Sequence, residues 1–136
     1  MSVILPNHIL EKMSPQDRAK LGRAGMTIAE AIDKAVVKSE RDSQNLFAGW
    51  LRSNEIVFNQ DAMNRKRTGT EGWPDFTFCI RKQWGGQFCA VEFKHGAGVL
   101  SPAQIACIVA LRKDGALVAV AHSVQEAIAF VKGVQA

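Results

Sequence analysis

The sequence predicts an α/β sandwich, with three meandering strands and one parallel strand forming a mixed sheet that has helices on both faces. Three observations carry this reading. Five segments open on a hydroxyl residue followed three positions later by an acid or amide, the reciprocal signature of helix N-termini. Two apolar runs flank Lys82-Gln83-Trp84-Gly85-Gly86, which reads as a hairpin. An unbroken apolar run, Ala116 to Ala121, follows the fourth helical segment, as expected when a helix crosses between parallel strands.

The elements follow in order. Ser14, Thr27, Ser39, Ser101 and Ser123 are the predicted N-caps, and Pro15 and Pro102 fall at the first helical position, where a missing N–H costs nothing. The first helix closes near Gly22 or Gly25. The second carries the stripe Ile28, Ala31, Ile32, Ala35 and Val36, and the third runs from Glu40 to Ser53 with Leu46, Phe47, Trp50 and Leu51 on one side. Strands are expected at Glu55–Gln60, Asp75–Arg81, Gln87–Lys94 and Ala116–Ala121. The last of these is read as a central strand covered on both faces. The fourth helix, Pro102 to Lys113, is apolar nearly all round and is expected to be buried against the sheet. A fifth helix, with Val124, Ala127, Ile128 and Val131, closes the chain.

Composition narrows the class. The 136 residues, 47% hydrophobic and 22% charged, suit one globular domain with a real core. No apolar run approaches the roughly 20 residues that span a bilayer, and Met1–Leu10 does not read as a secretion signal, so an intracellular (cytoplasmic) protein is expected. Cys79, Cys89 and Cys107 lie inside apolar runs without zinc spacing, and are read as buried, reduced thiols. The net charge of +4 is compatible with a polyanionic partner. Arg65-Lys66-Arg67, together with Arg81 and Lys82, are the candidate phosphate contacts.

Chemistry concentrates at one end of the hairpin. Pro74 cannot donate to a ladder and belongs at a strand start, which puts Asp75 at the opening of its strand. Alternation sets Glu92 and Lys94 side by side on one face, with Val91 and Phe93 on the other. A hairpin folded symmetrically about Gln83 and Trp84 places Asp75 opposite Glu92. A Glu-x-Lys triplet alone occurs by chance in about one chain in two of this length. In an apolar strand, facing a Pro-Asp, it says more, because buried charges persist only when paired or bound to metal. The alternative is a structural ion pair of Lys94 with either acid.

Gly72-Trp73-Pro74-Asp75, Val91-Glu92-Phe93-Lys94 and Gly98-Val99-Leu100-Ser101-Pro102-Ala103-Gln104 resemble the VRR-NUC family of the PD-(D/E)xK nuclease superfamily. The resemblance runs from about Ser39 to the C-terminus. It implies a restriction-endonuclease-like αβββαβ core over residues 39–136, with residues 1–38 as an N-terminal helical extension, in the same domain or at a dimer interface. It also implies a Mg²⁺- or Mn²⁺-dependent endonuclease that leaves 5′-phosphate and 3′-hydroxyl ends. Asp75, Glu92 and the Phe93 carbonyl would hold the ion, Lys94 would orient or deprotonate the attacking water, and Gln104 would match the family's active-site glutamine. Glu40 matches the acid that superfamily members place on the first core helix, and Gln44 lies one turn on. Stand-alone members resemble Holliday-junction resolvases, so branched DNA and a homodimer are expected. A nuclease acting on linear DNA, single strands or RNA, and a non-catalytic module of the same fold, stay open.

Overall fold

The computed structural model describes residues 27–61 and 69–136. The helix expected after Ser14 and the basic run Arg65-Lys66-Arg67 lie outside the described residues. Within them the order is α1 (Ile28–Lys34), α2 (Glu40–Ser53), β1 (Phe58–Gln60), β2 (Phe76–Lys82), β3 (Gly85–Phe93), α3 (Pro102–Lys113), β4 (Leu117–Ala121) and α4 (Val124–Gln135). The strands lie side by side as β1-β2-β3-β4. The first three are antiparallel, and β4 runs parallel to β3 after the α3 crossover. This is the α/β, restriction-endonuclease-like core that the sequence predicts.

Local chemistry sets the element ends. Thr27 and Ser101 form complete capping boxes with Glu30 and Gln104. Ser39 and Ser123 also cap, but their third-position acids reach one residue further back. Asp42 accepts from the Lys38 amide, and Glu126 accepts from that of His122. α1 stops at Lys34, so the last two residues of the predicted stripe fall beyond the helix, Ala35 extended and Val36 exposed. α2 ends when Glu55 turns left-handed (φ 58°) and the Ile56 amide bonds back to the Leu51 carbonyl. That closure is normally given to glycine. It delays β1 to Phe58, three residues past its expected start.

The larger core lies on one face of the sheet. Phe76, Phe78 and Ile80 of β2 and Cys89, Val91 and Phe93 of β3 point into it, against α2, α4 and Ile32 of α1. Phe47 is its centre, fully buried with its ring 5.0 Å from Phe76 and 5.6 Å from Phe93, both edge-on. The opposite face holds a smaller cluster of Ala90, Val118 and Ala116 with Ile108 of α3. Glu92 shares the face of Ala90, so it points toward α3.

Three expectations are corrected here. α3 buries only Cys107 and Ile108, and Ile105 and Val109 stand about half exposed. β4 lies at the margin of the sheet, and Leu117 is 43% exposed. Cys79 is exposed, while Cys89 and Cys107 are buried and all three thiols are free. An apolar run reports affinity for a core, and does not report how many neighbours cover it.

Candidate active site at the open end of the hairpin

Hairpin register builds this corner. Lys82 pairs with Gly85 across the Gln83-Trp84 turn, and the ladder continues to Phe76 opposite Val91. The next step of the register brings Asp75 to Glu92. Two bonds lock them: the Asp75 amide donates to Glu92 Oε2 (3.1 Å), and the Phe93 amide donates to Asp75 Oδ2 (2.8 Å). Both side chains are buried, with Glu92 2% and Asp75 8% exposed. Glu92 Oε1 accepts from Gln104 Nε2 at 2.7 Å and lies 3.5 Å from Lys94 Nζ.

α3 delivers Gln104 through its own N-terminus. The Gln104 carbonyl oxygen accepts from the Ser101 amide while its NH₂ group reaches Glu92. One side chain therefore completes a capping box and touches the acid pair. Gly72, at φ 80°, lies so close beneath this turn that an added Cβ would fall 2.3 Å from the Ala103 carbonyl oxygen.

α2 approaches from the other side. Glu40 Oε1 accepts from the His95 amide at 3.2 Å, and its negative charge is close enough to raise the pKa of Asp75. Gln44 is 2% exposed and accepts from Gln60 at 3.4 Å. Asp61 was not singled out from sequence, yet its amide donates to the Asp75 carbonyl at 2.8 Å. Extending the β1–β2 register by one step would have found it, since Gln60 pairs with Phe76. The structure thus gathers Asp75, Glu92, Lys94, Gln104 and Glu40. Arg81 and Lys82 stand at the far end of the hairpin, where Lys82 Nζ bonds the carbonyls of Val134 (2.5 Å) and Ala136 (3.0 Å).

Electrostatics set the chemistry of this corner. Burial pushes Glu92 up to about 7, and the neighbouring Asp75 adds to it against the opposing pull of Lys94. Burial likewise raises Asp75, opposed chiefly by its bond from the Phe93 amide. Two buried carboxyls beside one ammonium make a site short of positive charge and rich in hard oxygen donors. That donor set fits Mg²⁺ or Mn²⁺.

A stability prediction follows directly. Glu92 binds its proton more tightly folded than unfolded, rising from an ordinary 4.5 to about 7. Its contribution to stability is therefore complete below the unfolded value and lost as pH climbs through the folded one. At about 1.4 kcal/mol per unit, the loss is on the order of 3 kcal/mol. Thermal melts in EDTA at about pH 5 and about pH 8 should show a drop for the wild type that Glu92→Gln largely removes. Equal pH dependence in the two proteins would refute it.

A mixed sheet with Asp75 and Glu92-x-Lys94 at one end of its inner strands is consistent with a restriction-endonuclease-like core. The profile of the VRR-NUC domain matches residues 30–125, and the chain belongs to that family. A nuclease-type function follows from that membership. Neither the curated proteins nor the solved structures offer a match to the chain. Among the described residues no helix is long and apolar enough to cross a membrane.

Proposed function

We propose that this nuclease is a divalent-metal-dependent DNA endonuclease, structure-specific for branched DNA and working as a homodimer. The observation that carries the catalytic reading is the locked Asp75–Glu92 pair beside Lys94. Asp75, Glu92 and the Phe93 carbonyl would hold Mg²⁺ or Mn²⁺, with Glu40 as a further ligand. Bound there, such an ion would supply Lewis acidity toward a phosphate oxygen and would lower the pKa of water.

The chain's own groups do the rest. The backbone amides of Asp75 and Phe93 fix the rotamers of the two acids before substrate arrives, so no reorganisation is needed at the moment of reaction. Gln104 holds Glu92 Oε1 toward α3. Lys94 places a compact positive charge where a scissile phosphate would lie, orients the attacking water and offsets charge developing on phosphorus. Arg65, Lys66 and Arg67 would add phosphate contacts that position the backbone without reading sequence.

Pairing of two copies draws support from the outward side of α3, where Ile105 and Val109 stand about half exposed. In this reading residues 39–136 form the nuclease core and residues 1–38 an N-terminal helical extension.

One assay tests the proposal. Labelled four-way junction, flap, single-stranded and linear duplex DNA, with an RNA control, are incubated with Mg²⁺, Mn²⁺ or EDTA. Junction and flap should be cut preferentially, only with metal, and light scattering should show a dimer on the junction. Preferential cutting of linear DNA or RNA would overturn the branched-substrate reading. DNA binding without any cutting would favour the non-catalytic module, and a monomer on the junction would remove the homodimer.

A further inference from the structure

The hairpin tip carries features that the acid pair does not use. Trp84 is 68% exposed, whereas Trp50 is 5% exposed. Beside it Arg81 is exposed, and its guanidinium makes no hydrogen bond or ion pair among the described residues. A depression of about 670 Å³ is lined by Arg81, Lys82, Gln83, Trp84, Gln135 and Ala136. Lys82 fastens this tip to the last turn of α4 through the Val134 and Ala136 carbonyls, so indole and guanidinium are presented from an anchored base.

The tip and the acid pair also share a surface. Phe76, Phe78 and Ile80 of β2 point into the larger core, so Asp75, Thr77, Cys79 and Arg81 point to the opposite face. α3 packs there on Ala90 and Val118, from β3 and β4, and Cys79 of β2 is left exposed. A track along β2 therefore leads from Asp75 to Arg81, covered at Thr77 (8% exposed) and open at Cys79. Six residues of strand span about 20 Å at roughly 3.3 Å each. A DNA strand advances about 3.4 Å per nucleotide, so the track matches about six nucleotides.

We infer that the hairpin tip is a second DNA contact, with Arg81 on a phosphate and Trp84 stacked on an unpaired base about six nucleotides from the scissile bond. The inference rests on the nuclease reading above and deepens it by giving the branch a place to sit. An exposed cation suits phosphate, and an exposed indole suits any unstacked base because every base has a π-face. Intact duplex offers no such base, so the tip would favour flaps and junctions and set the distance between branch and cut.

The test uses flap substrates of one sequence, with the branch moved two to twelve nucleotides from a marked position. Wild type, Trp84→Ala, Trp84→Phe and Arg81→Ala are compared. Wild-type cuts should cluster about six nucleotides from the branch. Trp84→Ala should raise KM roughly tenfold with kcat little changed and spread the cut positions, and Trp84→Phe should restore both. Arg81→Ala should weaken binding and flatten its salt dependence by about one counterion.

If the wild type cuts and Trp84→Ala matches it in KM and cut position, the tip contact is refuted and the nuclease reading stands. If the wild type cuts nothing, the nuclease reading falls. Anisotropy of labelled flap DNA then still decides the tip, and equal affinity of wild type and Trp84→Ala refutes it.

Discussion

Asp75→Ala, Glu92→Gln and Lys94→Ala should each lower kcat by roughly a thousandfold or more, with DNA affinity in EDTA changed by less than about threefold. Losing one pre-aimed electrostatic group in a dry site commonly costs a factor of 10² to 10³, and each of these would serve the ion and the phosphate together. Glu92→Gln is the most telling of the three. It keeps the shape of the side chain but places an NH₂ group among atoms that now point donors at Glu92, namely the Asp75 amide, Gln104 Nε2 and Lys94 Nζ. Asp75→Ala removes the acceptor of the Phe93 amide as well as a carboxylate. Lys94→Arg retains the positive charge, so activity close to wild type would reduce Lys94 to charge balance and remove its part in proton handling. Single-turnover cleavage of a junction or flap in saturating Mn²⁺ gives kcat free of product release. Values within tenfold of wild type for all three would refute the assignment.

Gly72→Ala should be the most destabilising small substitution in the described fold, by about 3 kcal/mol or more. Two costs add. At φ 80° an alanine pays the left-handed penalty, about 1–2 kcal/mol. Its Cβ would also lie 2.3 Å from the Ala103 oxygen, 2.4 Å from the Ala103 carbonyl carbon and 2.7 Å from the Gln104 nitrogen. Those atoms are backbone and cannot swing aside, so the N-terminus of α3 must move. Such a shift disturbs the Ser101–Gln104 box and the bond from Gln104 to Glu92 together. Gly115→Ala is the matched control, because Gly115 has φ 100° with nothing within 4 Å of the added Cβ. A melting temperature for Gly72→Ala about 10 °C below wild type and well below Gly115→Ala is expected. Equal melting of the two variants would mean the close approach to α3 carries no weight.

The candidate site was legible because each of its determinants is local. A two-residue turn fixes strand pairing, so placing the bend at Gln83-Trp84 placed Asp75 against Glu92. Pro74 marked the start of β2, and period-two alternation put Glu92 and Lys94 on the face of α3. Ser101 and Gln104 announced the turn that brings Gln104 into reach. What stayed hidden depends on neighbours distant in sequence. The apolar residues of α3 and β4 could not report that one side of the helix and one margin of the sheet lack cover among the described residues. The left-handed Glu55 gave no signal, since glycine is the residue expected in that role. Asp61 passed unnoticed because β1 is short, and its register to β2 is set by long-range pairing. Trp84 read simply as part of a turn until its exposure was visible.

The distribution of chemistry across the sheet has a consequence for how this fold can be elaborated. Asp75, Glu92 and Lys94 sit at one end of the two inner strands, while β1 and β4 form the rims among the described residues. Additional strands or helices can be appended at either rim without passing through the reactive corner. A compact scaffold of this kind can acquire new parts at its borders while the acid pair keeps the same spacing.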